Sequence, residues 1–251
     1  MRILLKIYSA YGLIIFALLF LILLPFFLLA MFVKPLEKMA STLNWIWARA
    51  FFFMMFFNRT QISYEQPLDR KQSYIFCANH FSYLDIPTMG LIRHNFKFIG
   101  KSSLRKVPVW GYMYSKLHIL VNRESLKGRY ASWAQAREAL KAGFSIVFFA
   151  EGGILSQNPP EMARLKEGSF KLAVEEQIPI VPVTIHRNHI ILPDEKPLVI
   201  RTGKVSLKVH SPIWPAGNDE AAVKALKNEV RGILEAELKK VNQMPLAEDI
   251  G

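Results

Sequence analysis

Residues 73–100 read SYIFCANHFSYLDIPTMGLIRHNFKFIG. An apolar run beginning at Tyr74 stops at a polar pair, Asn79-His80, and a second apolar run opens at Phe96. Short runs rich in aromatic and branched side chains, bounded by turn residues, suit strands better than helices. Between the runs, Ser82, Asp85 and Pro87 carry the chemistry of a turn and a helix start. The stretch predicts strand, turn, helix, strand, which is the opening unit of an α/β domain.

The rhythm continues along the chain. Strands are expected over 73–78, 96–99, 118–122, 145–150 and 178–185, and helices over 86–92, 110–116, 126–142 and 165–177. Such alternation predicts a mainly parallel sheet flanked by helices. Residues 198–202 and 204–211, joined at Gly203, predict a late hairpin. Residues 219–241 predict a terminal amphipathic helix with Asn218 as its N-cap and Val223, Leu226, Val230, Leu234 and Leu238 on its apolar face. Residues 244–251 read as a loose tail.

The N-terminal region has a different texture. Residues 7–33 contain no charged side chain. As a helix they extend about 40 Å, more than the roughly 30 Å hydrocarbon core of a bilayer. Pro25 is placed to kink such a helix. A signal peptide would have a shorter apolar stretch and a small-x-small site, which is not evident after Val33. A buried helix of a soluble core would show a polar face. A membrane anchor is the reading that remains. Residues 45–57 are dense in Trp and Phe and carry Arg49, a composition suited to the headgroup boundary. Packing of that segment on the domain is the competing reading. The expected organisation is a membrane anchor over 1–60, made of one long apolar helix and an aromatic-rich interfacial helix, then an α/β domain over 61–251.

Lys and Arg number 32 against 20 Asp and Glu, a formal net charge of +12. Beside an anchor, that balance suits an anionic membrane surface. No nucleic-acid-binding motif is evident, so no nucleic-acid partner is expected. The single cysteine, Cys77, forms no internal disulfide and sits in an apolar run, as a small buried side chain does. His186 and His189 have no carboxylate or cysteine partners at ligand spacing, so no metal site is expected.

In open α/β sheets, ligands gather beyond the carboxyl ends of the strands. Here those ends carry Asn79-His80, Gly100-Lys101, Asn122-Arg123 and Glu151-Gly152-Gly153. His80 and Asp85 would lie about 140° apart on a helix and on opposite faces of a strand. They meet only if the chain turns between them. Ser82 and Asp85 fit a capping box, in which Pro87 falls where its N–H is missed. With Asp85 as the N-cap, Pro87 falls in the first turn, where nothing is lost. Pro87 therefore favours Asp85 as the cap, with one carboxylate oxygen left over for His80.

Asn79-His80-Phe81-Ser82-Tyr83-Leu84-Asp85 resembles the His-x4-Asp motif of the glycerolipid acyltransferases, especially the bacterial 1-acylglycerol-3-phosphate acyltransferases. Further blocks resemble the family in order: Lys101 to Leu104 with Val107 to Gly111, then His118 to Arg123, Phe149 to Gly153, and Ile178 to Val183. The resemblance covers residues 73–185 and implies a glycerol-3-phosphate acyltransferase-like α/β fold behind a hydrophobic helical anchor. It implies an enzyme of phospholipid biosynthesis that moves a fatty acyl chain from acyl-CoA or acyl-carrier protein to the sn-2 hydroxyl of lysophosphatidate, giving phosphatidate. No cofactor is implied beyond that thioester cosubstrate. By the resemblance His80 is the general base and Asp85 holds its tautomer. Lys101, Arg123, Glu151, Gly152, Gly153 and Lys166 are the expected substrate-binding residues. The setting implied is a bacterial inner membrane, with the catalytic domain on the cytoplasmic side.

The chain departs from the family in its third block. Ala150 stands where Pro is usual, and Gly153-Ile154 stand where Thr-Arg are usual, so one phosphate-binding arginine is absent. Asn122 also replaces an acid before Arg123. Either Lys166 or Arg164 supplies the missing charge, or the acceptor is another lysolipid or an amine-linked lipid. From a different class, a non-catalytic lipid-binding tether would share the anchor and the basic charge.

Overall fold

The computed structural model describes residues 2–55 and 60–243. The expected tail over 244–251, and the end of the aromatic segment at 56–57, lie outside the described residues. Seven strands form one sheet: β1 (Gln61–Tyr64), β2 (Ile75–Ala78), β3 (Phe96–Lys101), β4 (Ile119–Val121), β5 (Ser145–Phe149), β6 (Ile180–Ile185) and β7 (Ser206–Val209). Their order is β1-β7-β6-β2-β5-β3-β4. Every pairing is parallel except β6 with β7. The mainly parallel sheet expected from the sequence is present.

β2 and β6 are buried at every residue, as central strands covered on both faces must be. The period of two then sorts their side chains. Phe76 and Ala78 of β2 point into one core, with Val181, Val183 and Phe96. Ile75 and Cys77 point into the other, with Ile146 and Ile180. The second core is closed by α5 (Leu126–Lys141), α6 (Gly168–Glu176) and α8 (Glu220–Asn242). Val223, Leu226, Val230, Leu234 and Leu238 form the buried stripe of α8. Its N-cap is Asp219 rather than Asn218: the Asp219 carboxylate accepts the Ala222 N–H at 2.8 Å.

The first core carries the N-terminal helices. α1 (Arg2–Phe32) and α2 (Met39–Met54) pack together on that side of the sheet. Ala48, Phe51, Phe52 and Met55 lie in one cluster with Phe76 and Val181. The aromatic helix is therefore not purely interfacial. One face is domain core, while Ile46 and Phe53 on the other face are exposed. α1 is apolar enough to cross a membrane by length and composition. It is also held at both ends. The Tyr8 hydroxyl donates to the Met55 carbonyl at 2.6 Å, and Ser9 Oγ accepts the Ile200 N–H at 2.8 Å. Near its other end, Phe27 and Ala30 pack with Met113 and Leu117 of α4 (Trp110–Leu117). Ile15 is buried in the first core, while many other large side chains of α1, among them Ile3, Leu4, Leu29 and Phe32, stay exposed.

Two expectations are corrected. No hairpin forms at Gly203. The Ile200 N–H goes to Ser9 Oγ and the Arg201 N–H to the Ile191 carbonyl, so the middle of 198–202 pairs with α1 and the segment after β6 rather than with 204–211. β7 instead inserts between β6 and β1. The edge strand β1 was not expected at all. Only one of its four residues is even half-buried, so it lacks the apolar alternation that would mark it.

Glu65, just past β1, ties this edge together. Its carboxylate accepts from His210 Nδ1 and from the Ser211 N–H, each at 3.0 Å, and pairs with Lys208 at 3.0 Å. Burial pushes its pKa up, but the bonds from Lys208, Ser211 and His210 prevail and hold it at about 2. A carboxyl whose folded pKa is depressed adds stability above its unfolded value near 4.5, lost as pH falls toward 2. Glu65 is partly exposed, so the effect is modest. Urea melts of Glu65→Gln should show a shallower loss of stability than wild type between pH 4.5 and 2. Parallel slopes for the two proteins would rule out this role.

Candidate active site

Asn79 ends β2 by bridging to β6. Its amide Nδ2 donates to the Ile185 carbonyl at 2.9 Å, and its Oδ1 accepts the Ile185 N–H at 2.7 Å. The chain then turns sharply, and His80 and Asp85 meet. His80 Nδ1 lies 3.0 Å from Asp85 Oδ2. The same oxygen accepts the N–H groups of Phe81 at 2.8 Å and Ser82 at 2.9 Å. Oδ1 accepts from Asn188 Nδ2 at 3.0 Å.

Asp85 is therefore not the N-cap. It lies in the first turn of α3 (Asp85–Met89), and its carboxylate reaches back to the Ser82 N–H, as the acidic member of a capping box does. Pro87 is tolerated because this turn opens with three-residue bonds, Asp85 N–H to the Ser82 carbonyl and Ile86 N–H to that of Tyr83.

With the carboxylate ionised, Nδ1 carries the imidazole proton and Nε2 is left with its lone pair. The ring stacks on Phe149, centroids 3.9 Å apart and planes 16° apart. His80 borders a cavity of about 770 Å³ at the carboxyl ends of β2, β3, β4 and β5. Lys101, Arg123, Gly152, Gly153 and Lys166 line the same cavity. Arg129 of α5, which sequence reasoning passed over, adds a fourth cationic side chain. Leu104, Trp110, Tyr114, Trp133 and Phe148 supply apolar walls. Asp194 is the one acidic side chain among the described lining residues.

Arg123 Nη1 donates to the Gly152 carbonyl, tying the β4 and β5 ends together. Gly152 has φ +79°, where a side chain would be strained, and a Cβ there would meet Lys166 Cγ at 3.0 Å. The expected substrate contact of Glu151 is corrected. Its residue is fully buried, and it does not line the cavity. Oε1 accepts the His80 N–H at 3.0 Å and Oε2 the Ala163 N–H at 2.9 Å. Burial raises its pKa despite those bonds. Its work is to hold the backbone of His80.

Residues 59–186 match the model of the acyltransferase family. The chain belongs to that family. This acyltransferase is 30% identical over 232 residues to a 1-acyl-sn-glycerol-3-phosphate acyltransferase of Chlamydomonas reinhardtii, covering 89% of this chain and 69% of the relative. It is 25% identical to the 1-acyl-sn-glycerol-3-phosphate acyltransferase of Haemophilus influenzae, covering 73% of this chain and 76% of that one. Its fold superposes on the crystal structure of the 1-acyl-sn-glycerophosphate acyltransferase PlsC from Thermotoga maritima. The TM-score is 0.74 over 97% of this chain and all of that chain, at 23% identity.

Two nucleophiles near His80 in the sequence of the acyltransferase, Cys77 and Ser82, are spoken for. Cys77 is fully buried, and burial pushes its thiol up to about 12, so it holds no thiolate at neutral pH. Ser82 Oγ donates to the Leu192 carbonyl at 2.6 Å and accepts the Leu84 N–H at 3.1 Å. His186 and His189 face different neighbours: His186 Nδ1 meets Ser206 Oγ at 2.8 Å, and His189 sits edge-on to Phe81. Asn188, between them, is the partner that sequence reasoning missed. It stands 103 residues from Asp85. Its only local signal was its place after the end of β6.

Proposed function

We propose that this acyltransferase transfers a fatty acyl chain from acyl-CoA or acyl-carrier protein to the sn-2 hydroxyl of lysophosphatidate, giving phosphatidate. The observation that carries the reading is a His80–Asp85 pair opening on a cavity that has four cations and apolar walls. The cations suit a phosphate monoester, and the walls suit an acyl chain. His80 Nε2 accepts the acceptor's hydroxyl proton as that oxygen attacks the thioester carbonyl carbon. The tetrahedral centre collapses with cleavage of the carbon–sulfur bond. The imidazolium returns its proton to the departing thiolate. Asp85 keeps the imidazole in the Nδ1–H form and steadies its positive charge in between. No acyl-enzyme is required.

Two functional units are part of this reading, an anchor over 1–60 and a catalytic unit over 61–251, although the two share core. The exposed apolar side chains of α1 enter the membrane. Attachment of α1 at both ends favours lying in one leaflet over spanning. The cytoplasmic face is the side where thioester donors are made, and a bacterial inner membrane is the expected setting.

A donor-by-acceptor activity matrix on the purified protein tests the acceptor. Lysophosphatidate should turn over, and lysophosphatidylcholine, whose phosphate is a diester carrying a cation, should turn over poorly. Arg123→Ala should raise KM for lysophosphatidate by about 10–100-fold, the range of a lost charge-assisted bond, while donor KM stays near wild type. Equal turnover of both acceptors, with acceptor KM unmoved in Arg123→Ala, would defeat the lysophosphatidate reading.

A further inference from the structure

A second, smaller cavity of about 150 Å³ lies at the amino ends of the strands, across the sheet from His80. Thr42 and Trp45 reach it from α2, Arg70 from the approach to β2, and Arg93 from the turn before β3. Among the described residues, no acidic one lines it. Asp69, beside Arg70, gives a carboxylate oxygen to the Lys71 N–H at 2.9 Å. The guanidinium groups of Arg93 and Arg49 both lie over the Trp45 ring, 5.1 and 5.3 Å from its centroid. Among the described residues, none of these three arginines pairs with a carboxylate.

Three features of the notch converge. Guanidinium forks without counter-ions fit phosphate oxygens in pairs, and a cavity of this size takes a phosphate group but not an acyl chain. The same helix that supplies Trp45 exposes Ile46 and Phe53, and Arg49 stands between them in sequence. Tryptophan and arginine beside an apolar helix face are the composition of the headgroup level. We propose that this notch binds the phosphate group of an anionic phospholipid headgroup and so fixes the α2 side of the protein to the membrane, apart from the active site. Free phosphate shares the chemistry, but the apolar face of α2 beside the notch favours a lipid as its source. A zwitterionic headgroup brings a cation that finds no acid here. The inference does not depend on which lysolipid the enzyme acylates.

The test is flotation of the full chain with vesicles of pure phosphatidylcholine or of phosphatidylcholine containing phosphatidylglycerol, at fixed ionic strength. Wild type should bind the anionic vesicles more tightly. Each basic residue near an anionic surface contributes about fivefold, so Arg70→Ala/Arg93→Ala should lose about 25-fold on anionic vesicles and little on neutral ones. Lys224→Ala/Lys240→Ala on the exposed side of α8 removes the same charge elsewhere and should lose much less. Equal losses in the two double variants, or no anionic preference in wild type, overturn the site. If the alanine variant does not fold, judged by circular dichroism, Arg93→Lys takes its place. It keeps the charge and loses the fork, and should weaken anionic binding a few-fold; an unchanged affinity overturns the assignment. Titration with inorganic phosphate separates the sources. A thermal shift seen in wild type and absent from the variant, without any vesicle preference, assigns the notch to free phosphate and overturns the lipid.

Discussion

His80→Ala should lower kcat by roughly 10²–10⁴-fold, the contribution of a positioned general base. The geometry specifies how the loss divides. Nδ1 is committed to Asp85, so what the cavity sees of His80 is Nε2 on a ring held against Phe149. That nitrogen acts on a proton in transit and adds little to binding. KM for donor and acceptor should therefore stay near wild type, with kcat and kcat/KM falling together. The fold should survive, because the side-chain hydrogen bond lost is one among several that Asp85 accepts. Steady-state kinetics beside a melting curve measure both. A folded His80→Ala protein turning over at the wild-type rate would falsify the mechanism.

Asp85 should show the second large effect, and it separates structure from chemistry. Its carboxylate is nearly fully buried and takes donors from His80, Phe81, Ser82 and Asn188. Asp85→Ala leaves the His80, Phe81 and Ser82 donors without that acceptor in a closed space, and Asn188 Nδ2 with Thr88 Oγ1 alone. The expected cost is about 3–5 kcal/mol, as for other broken buried charge networks, with activity falling at the same time. Asp85→Asn keeps the shape and one acceptor oxygen, so the stability loss should be smaller, about 1–3 kcal/mol. Its activity should still fall by about 10³–10⁴-fold, because an amide does not hold the imidazole as a carboxylate does. Asn188→Ala removes one donor to Asp85 Oδ1 and another to Thr88 Oγ1, leaves the His80–Asp85 contact in place, and should cost about 1–3 kcal/mol with a lesser rate loss. Melting temperature and kcat measured on the same preparations test this ranking. An Asp85→Asn protein with near-normal kcat would reduce Asp85 to a purely structural part.

Much of this site was legible because a parallel sheet brings the carboxyl ends of its strands to one edge. His80, Lys101, Arg123 and Gly152 each follow or close an apolar run, and they line one cavity. Glu151 sits in the same register and turned out different. Its neighbour Gly152 faces the cavity, while its own carboxylate is consumed by two backbone N–H groups. Arg129 was invisible because a charged residue in the first turns of an amphipathic helix looks like any solvated face. Pro87 points to the wrong role for Asp85, because its cost applies to a regular α-helical first turn and three-residue bonds occur here instead.

The order and kind of most elements, the apolar N-terminal helix, and the strand ends that carry polar groups can all be read along the chain. These follow from periodicity and turn chemistry, which are local properties of the chain. The rest came from how the elements pack. Packing set the placing of β7 between β6 and β1, the burial of one face of α2 in the domain core, the work of Glu151, and the seating of Asn188 against Asp85. Each of these is a choice of partner for a polar group or apolar face that had to be buried somewhere. Burial fixes that a partner must exist. Which one it is depends on what the sheet order brings within reach.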